Sequence, residues 1–136
     1  MVGIVGKYVY EKNEGFEEFM KKVAGTAGAD LAKHVIQSKP TFEVGFADNK
    51  YTITVFNGDK STVNTFELEK EFDEVLPHGA TSKTVVTKNG DKFTFVSSFL
   101  EDNTLTRVYE FTTEGVTVHL SEKKFGGKAI RYYKRV

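Results

Sequence analysis

The spacing of hydrophobic residues changes near Pro40 and divides the chain into a helical part and a strand-rich part. Before Pro40, hydrophobic residues recur at intervals of three and four, as on one face of an amphipathic helix: Phe16, Phe19, Met20 and Val23. An extended stretch over Gly6–Lys12 precedes this helix, and Gly25 is its expected end. A second short helix is expected over Ala27–Ile36, so the pattern predicts two helices in succession.

After Pro40, hydrophobic and polar residues alternate, as in strands that bury one face and expose the other. The predicted strands begin at Thr41 and Tyr51 and continue over Thr62–Leu68, Glu71–Val75, Thr81–Lys88, Phe93–Leu100, Thr104–Thr112, Val116–Ser121 and Lys128–Val136. Turn signals separate them, such as Asn57-Gly58-Asp59-Lys60 and Pro77-His78-Gly79. Strands that recur every ~8–12 residues between such turns predict an antiparallel sandwich or barrel.

Little of the chain is left outside these elements. About ten strands occupy most of the 136 residues, and a closed or nearly closed meander would leave few exposed strand edges. A barrel of this size encloses room for one small ligand. The two helices interrupt the strands only once, so we expect them to cap one mouth of the barrel. The chain is therefore predicted to form a single domain, residues 1–136.

Composition excludes several classes of protein. Lys and Arg together number 19, as do Asp and Glu, so no bulk charge favours nucleic acid or an anionic membrane. Cysteine is absent, which excludes disulfides, thiolate metal sites and thiol nucleophiles. The segment Met1–Gly6 is too short and uncharged for a signal peptide, and no apolar run reaches membrane-spanning length. We expect a soluble cytoplasmic protein.

Motifs of catalysis are also missing from the sequence. His34, His78 and His119 are isolated from one another and lack the spacing of metal ligands. The chain contains no P-loop, no dinucleotide-binding fingerprint and no Gly-x-Ser-x-Gly. We therefore expect no enzymatic activity, no metal and no cofactor.

Arg107 is the residue that points most directly to a function. In the strand Thr104–Thr112, one face carries Leu105, Arg107, Tyr109 and Phe111. Because side chains alternate between the faces of a strand, the guanidinium points where the hydrophobic side chains point. A buried guanidinium without a partner would cost several kcal/mol, so it needs an anion. Either the protein or a ligand supplies that anion.

The orientation of the last strand, Lys128–Val136, is open. One face carries Ile130, Tyr132 and Lys134, and the other carries Ala129, Arg131, Tyr133 and Arg135. A count of hydrophobic residues slightly favours burying Ile130 and Tyr132, which would place Arg131 in solvent.

Five segments in a fixed order resemble the signature of a known family. They are Gly6-Lys7-Tyr8, where the family has Gly-x-Trp, then Asn13-Glu14-Gly15-Phe16-Glu17-Glu18-Phe19-Met20, Lys39-Pro40, Glu71-Phe72-Asp73-Glu74-Val75 and Arg131-Tyr132-Tyr133-Lys134-Arg135. On these segments the chain resembles the intracellular lipid-binding proteins, and the fatty-acid-binding proteins in particular. The resemblance implies an all-β fold, a ten-stranded antiparallel up-and-down β-barrel (β-clam) capped by a helix-turn-helix lid.

The resemblance also implies a ligand site inside the barrel. It assigns the ligand carboxylate to Arg107, Arg131 and Tyr133, which requires the Arg131 face of the last strand to point inward. The tail and portal positions of the family fall on Phe16, Phe19, Met20, Leu31, Val35, Leu105, Val118 and Leu120. The resemblance further suggests transient membrane contact through three lysines of the lid, namely Lys21, Lys22 and Lys33.

Three functions stay open on the sequence alone. The leading hypothesis is a monomeric intracellular carrier that binds one long-chain fatty acid. The same three polar residues would also suit a retinoid or another hydrophobic carboxylate. A structural protein that binds lipid at a membrane surface is the third alternative.

Overall fold

A computed structural model of the chain describes residues 4–58, 60–75, 81–99 and 103–136. Its elements are β1 (Gly6–Glu14), α1 (Phe16–Ser38), β2 (Thr41–Ala47), β3 (Lys50–Asn57), β4 (Lys60–Phe66), β5 (Phe72–Val75), β6 (Thr81–Asn89), β7 (Lys92–Phe99), β8 (Asn103–Phe111), β9 (Gly115–Glu122) and β10 (Lys128–Arg135). Every predicted strand is present, with bounds shifted by at most two residues. The predicted turn Pro77-His78-Gly79 lies outside the described residues.

The strands form one antiparallel sheet in the order β4-β3-β2-β1-β10-β9-β8-β7-β6-β5. Consecutive strands are neighbours, and β1 pairs with β10, so the meander curls into a nearly closed barrel. Its two edges, β4 and β5, are joined by a side chain instead of a ladder. The Asn64 amide donates to the carbonyl of Val75 at 2.8 Å and accepts from its N–H at 2.7 Å. The all-β, ten-stranded barrel expected from the sequence is confirmed.

The helical segment differs from the prediction. One helical element runs over Phe16–Ser38, and only Gly25 has non-helical dihedral angles (φ 68°, ψ −152°). The two-helix lid is therefore not confirmed, although Gly25 is where the first helix was expected to end. Glycine tolerates this positive φ without a steric penalty, so the chain kinks there and the helix resumes at once. At the start of the helix, Asn13 Oδ1 accepts the N–H of Phe16 at 3.2 Å.

Aromatic rings form much of the core inside the barrel. Tyr8 is fully buried, stacks on Phe42 with ring centroids 5.0 Å apart, and donates its hydroxyl to the Ile4 carbonyl at 2.7 Å. Phe93, also fully buried, meets Phe111 edge-on at 5.7 Å. Such pairs add to the free energy gained from burial alone. Phe42 belongs both to this aromatic core and to the wall of a cavity beneath α1.

Candidate ligand-binding site

A cavity lies inside the barrel under α1. The cavity has a volume of about 180 Å³. One water molecule needs only about 10–15 Å³ of such volume. Its wall is mostly apolar and is formed by Phe16, Phe19, Met20, Leu31, Val35, Pro40, Phe42, Ile53, Val55, Phe66, Val75, Phe95, Leu105 and Leu120. Thr41, Asn57, Asn64, Glu74, Arg107, Tyr109, Arg131 and Tyr133 supply the polar atoms. An apolar cavity with a few convergent polar groups is the usual form of a small-molecule site.

Arg107 on β8 is ion-paired inside the protein, with the carboxylate of Glu74 on β5. Its Nη2 also donates to Ser97 Oγ at 3.2 Å. Thr84 Oγ1 donates to Glu74 Oε1 at 2.9 Å and lies 2.8 Å from Ser97 Oγ. Because the Thr84 hydroxyl proton is committed to Glu74, Ser97 must donate to Thr84. The four side chains thus close a ring of hydrogen bonds across β5, β6, β7 and β8.

This ring is almost entirely removed from solvent. Side-chain exposure is 12% for Arg107 and 8% for Glu74, and the Arg107 guanidinium lies 4.9 Å from the centre of the Phe95 ring. Burial by itself would lower the pKa of Arg107, but the Glu74 carboxylate and the Tyr109 hydroxyl together outweigh it and raise that pKa above its usual value. The charge of Arg107 is thus matched by a carboxylate inside the protein.

Arg131 on β10 has a different environment. Its Nη2 donates to the hydroxyl of Tyr133, and its guanidinium lies 4.9 Å from the Phe16 ring centre and 5.9 Å from that of Tyr10. No Asp or Glu forms an ion pair with it in the part of the chain that the structure describes, and its buried Nε has no hydrogen-bond partner there. Burial raises the pKa of Tyr133 to about 12, although Arg131 acts in the opposite direction. The pair is a cation and a neutral donor in an apolar wall.

The two arginines lie on either side of β9. Arg107 is paired with Leu120, and Arg131 with Val118, on opposite edges of that strand. Two strand spacings and the two-residue offset between Leu120 and Val118 place their backbones about 12 Å apart, and both side chains line the same cavity. A small anion between them could reach donors from both strands.

Comparison with known proteins gives the family. No family model matches the chain. It is 35% identical to a fatty acid-binding protein of Tyrophagus putrescentiae and 34% identical to one of Lepidoglyphus destructor, and each alignment spans 136 residues and 99% of both chains. The chain belongs to the fatty-acid-binding protein family. Members of this family are non-enzymatic carriers, so the chain is a carrier and not an enzyme.

Solved structures of the family agree with this assignment. The fatty-acid-binding protein from the brain of Drosophila melanogaster is 32% identical, with a TM-score of 0.82 over 97% of this chain and 99% of the other. The protein of Schistosoma mansoni in complex with arachidonic acid is 26% identical, with a TM-score of 0.85 over 97% of this chain and 95% of the other. The family and the barrel together support a fatty acid carrier.

Most of the predicted site residues lie on the cavity wall of this fatty-acid-binding protein. The wall includes Arg107, Arg131 and Tyr133, together with seven of the eight predicted tail and portal residues: Phe16, Phe19, Met20, Leu31, Val35, Leu105 and Leu120. The eighth, Val118, is buried in the core between Arg131 and Tyr109 and does not line the cavity. Tyr133 is buried and Arg131 lines the cavity, so the hydrophobic count that favoured burying Ile130 and Tyr132 is wrong. The count fails because the inward face of β10 completes the wall of a cavity, and that wall includes polar side chains.

Sequence reasoning missed the internal partner of Arg107. Glu74 was recognised only as part of the run Glu71-Phe72-Asp73-Glu74-Val75 and received no role. A usable signal was present, because Phe72 and Glu74 are two apart on a strand and therefore share a face. A carboxylate on the same face as a phenylalanine is as unusual as Arg107 beside Leu105 and Tyr109. Two opposite charges on inward faces of one small barrel are expected to form an ion pair.

The described ranges contain neither a cluster of metal-binding side chains nor a helix suited to cross a membrane. Within residues 4–58, 60–75, 81–99 and 103–136, no three His, Cys, Asp or Glu side chains come together as a metal site. In those same ranges, no helix combines the length and the hydrophobicity that a membrane span requires.

Proposed function

We propose that the chain carries one long-chain fatty acid inside the barrel, with the carboxylate held by Arg131, Tyr133 and Arg107. The tail would lie in the apolar part of the cavity beneath α1. We place this carrier in the cytoplasm as a monomer, as is usual for the family. Arachidonic acid, the ligand in the Schistosoma mansoni complex, is a suitable test ligand beside saturated acids.

The observation that carries this proposal is the uncompensated charge of Arg131. A half-buried guanidinium in an apolar wall is stabilised when an anion approaches it, because the new hydrogen bonds are charge-assisted. The Tyr133 hydroxyl, held by Arg131 and neutral up to high pH, is oriented beside it as a second donor. A carboxylate has two oxygens and matches this pair of donors.

Arg107 would complete the carboxylate site in a weaker role. Its Nη2 is engaged by Glu74 and Ser97, while its Nε makes no hydrogen bond within the described residues. The remaining N–H groups can reach the ligand carboxylate directly or through a water molecule, which is nearly as good in enthalpy as a direct bond. The tail adds about 0.8 kcal/mol for each buried methylene.

Titration calorimetry with palmitate and arachidonate tests the proposal. Arg131→Gln and Tyr133→Phe should each weaken binding, by roughly 10- to 100-fold for Arg131, since a charge-assisted hydrogen bond contributes about 1.5–3 kcal/mol. Lys134→Gln and Tyr132→Phe are matched controls on the same strand, facing away from the cavity, and should leave affinity unchanged. Unchanged binding in Arg131→Gln would contradict the proposal. Retinoate added in competition tests the retinoid alternative.

Membrane contact through α1 stays a prediction. Lys21, Lys22 and Lys33 are exposed on α1 and could meet anionic lipid during transfer of the ligand. Sedimentation with anionic vesicles should then weaken with salt and with replacement of the three lysines by glutamine. Sedimentation that persists in the triple variant would refute a role for these lysines.

A further inference from the structure

We propose that Glu74 sets the charge specificity of the cavity, so that it accepts lipids with a singly charged head group and excludes those with a doubly charged one. This inference rests on the proposed function and adds a residue that determines its selectivity. Its basis is the buried ring that joins Glu74 to Arg107, described above.

The charge of the cavity wall follows from its lining. Among the described residues that line it, three carry a charge: Glu74, Arg107 and Arg131. Glu74 and Arg107 are directly paired, so the wall has one uncompensated positive charge, at Arg131. A monoanion makes the occupied cavity neutral. A dianion would leave one negative charge in an apolar space that has no further cation to receive it.

Glu74 is held where it would oppose a second anion. It is 6% exposed, receives hydrogen bonds from Arg107 and Thr84, and itself lines the cavity. A second ligand carboxylate seeking Arg107 would approach the Glu74 carboxylate, and both would compete for the same guanidinium. Since Thr84 is fully buried and Ser97 is 2% exposed, the ring leaves Glu74 no solvated position to which it can withdraw. Repulsion between the like charges therefore acts on any dianionic head group.

A matched pair of ligands isolates this effect. Palmitate has one carboxylate, and an alkylmalonate with the same alkyl tail has two on one head group. Affinities are measured by titration calorimetry at a pH at which all carboxyl groups are ionised. The wild-type protein should prefer palmitate by on the order of 100-fold, since placing like charges side by side costs several kcal/mol. A wild-type protein that binds both ligands equally well would overturn the inference.

Glu74→Gln tests the residue itself. It removes the negative charge, keeps the side-chain shape and leaves two uncompensated cations, so the preference should shift toward the malonate by a similar factor. Glu67→Gln is the matched control, because Glu67 is paired with Lys70 on the surface and its loss should not change the ratio. A purely structural role of Glu74 would change both affinities together and leave their ratio constant, which would refute the inference.

The double variant Glu74→Gln/Arg107→Gln covers the case in which Glu74→Gln does not fold. It replaces both charges with amides and returns the wall to a single cation. Both ligands should bind more weakly, because Arg107 belongs to the proposed carboxylate site, and palmitate should stay the preferred ligand, because the occupied cavity is again neutral only with a monoanion. A double variant that prefers the malonate would overturn the inference. If the wild-type protein binds neither ligand, the proposed function fails first, whereas tight palmitate binding with an unchanged ratio rejects only the role of Glu74.

Discussion

Replacing Glu74 with alanine would leave the Arg107 guanidinium inside the barrel wall without its carboxylate. The side chains of the pair are only 12% and 8% exposed, and a water molecule in place of the lost carboxylate would not neutralise the charge. Thr84 and Ser97 would remain, but a hydroxyl does not neutralise a charge. Breaking a buried pair by removing one member costs about 3–5 kcal/mol, a large share of the roughly 5–15 kcal/mol that stabilises a typical domain.

The free energy of unfolding is measured by urea titration, followed by circular dichroism because the chain has no tryptophan. Glu74→Ala should lower the midpoint strongly and reduce the melting temperature by roughly 10–20 °C. The double variant Glu74→Gln/Arg107→Gln should be much closer to the wild type, since removing both charges leaves no uncompensated ion. The wild type, Glu74→Gln, Arg107→Gln and this double variant complete a double-mutant cycle that gives the coupling energy directly.

Two outcomes would refute this reasoning. A Glu74→Ala protein as stable as the wild type would mean that Arg107 finds another partner or water. A double variant as unstable as Glu74→Ala would mean that the loss of stability does not come from an uncompensated charge. Lys70→Gln on the surface, where Lys70 pairs with Glu67, serves as the reference for an ion pair in solvent and should change stability little.

Three further predictions concern other parts of the barrel. Gly115→Ala would place a Cβ 2.0 Å from the Tyr133 carbonyl oxygen and should destabilise the protein by about 1–3 kcal/mol or more, as measured by urea unfolding. Gly45→Ala is its control, because a Cβ at Gly45 would meet no atom within 4 Å, and it should not lower the stability in this way. Burial raises the pKa of Tyr133 from its usual value of 10.0 to about 12 in the folded protein. The stability that its buried neutral hydroxyl contributes is therefore fully present below a pH of about 10.0 and is lost as the pH rises through about 12. Stability should therefore fall over this interval, and the fall should be smaller in Tyr133→Phe; equal slopes in alkaline unfolding curves would contradict this. Asn64→Ala removes the two hydrogen bonds to Val75 that join β4 and β5 and should speed hydrogen exchange at the Val75 amide, whereas Thr65→Ala, facing outward on β4, should not.

The asymmetry between the two arginines bears on how this carrier selects ligands. A cavity with two uncompensated guanidiniums would hold an anion tightly but would also accept doubly charged lipids. Here one guanidinium is paired with Glu74, whereas the guanidinium of Arg131 has no carboxylate partner among the described residues. The selectivity we propose therefore arises from a residue that does not need to touch the ligand carboxylate.

Local pattern determined the elements of this protein. Alternation after Pro40 located β2 to β10, and the period of two along Thr104–Thr112 placed Arg107 on an inward face. These features depend only on neighbours within a few residues, because the direction of a side chain on a strand follows from its parity. The motifs that resemble the fatty-acid-binding proteins then gave the barrel and the inward face of β10, where a hydrophobic count chose the wrong side.

Tertiary structure decided which charges meet. Glu74 and Arg107 are 33 residues apart, and only the register of β5, β6, β7 and β8 brings them together. The same register leaves Arg131 beside Tyr133, where no carboxylate of the described residues reaches it. The sequence showed that a buried Arg107 needs an anion, but the choice between an internal acid and a ligand depends on distances across the sheet. The face on which a side chain lies depends on one strand alone, whereas its ion-pair partner depends on how several strands are aligned.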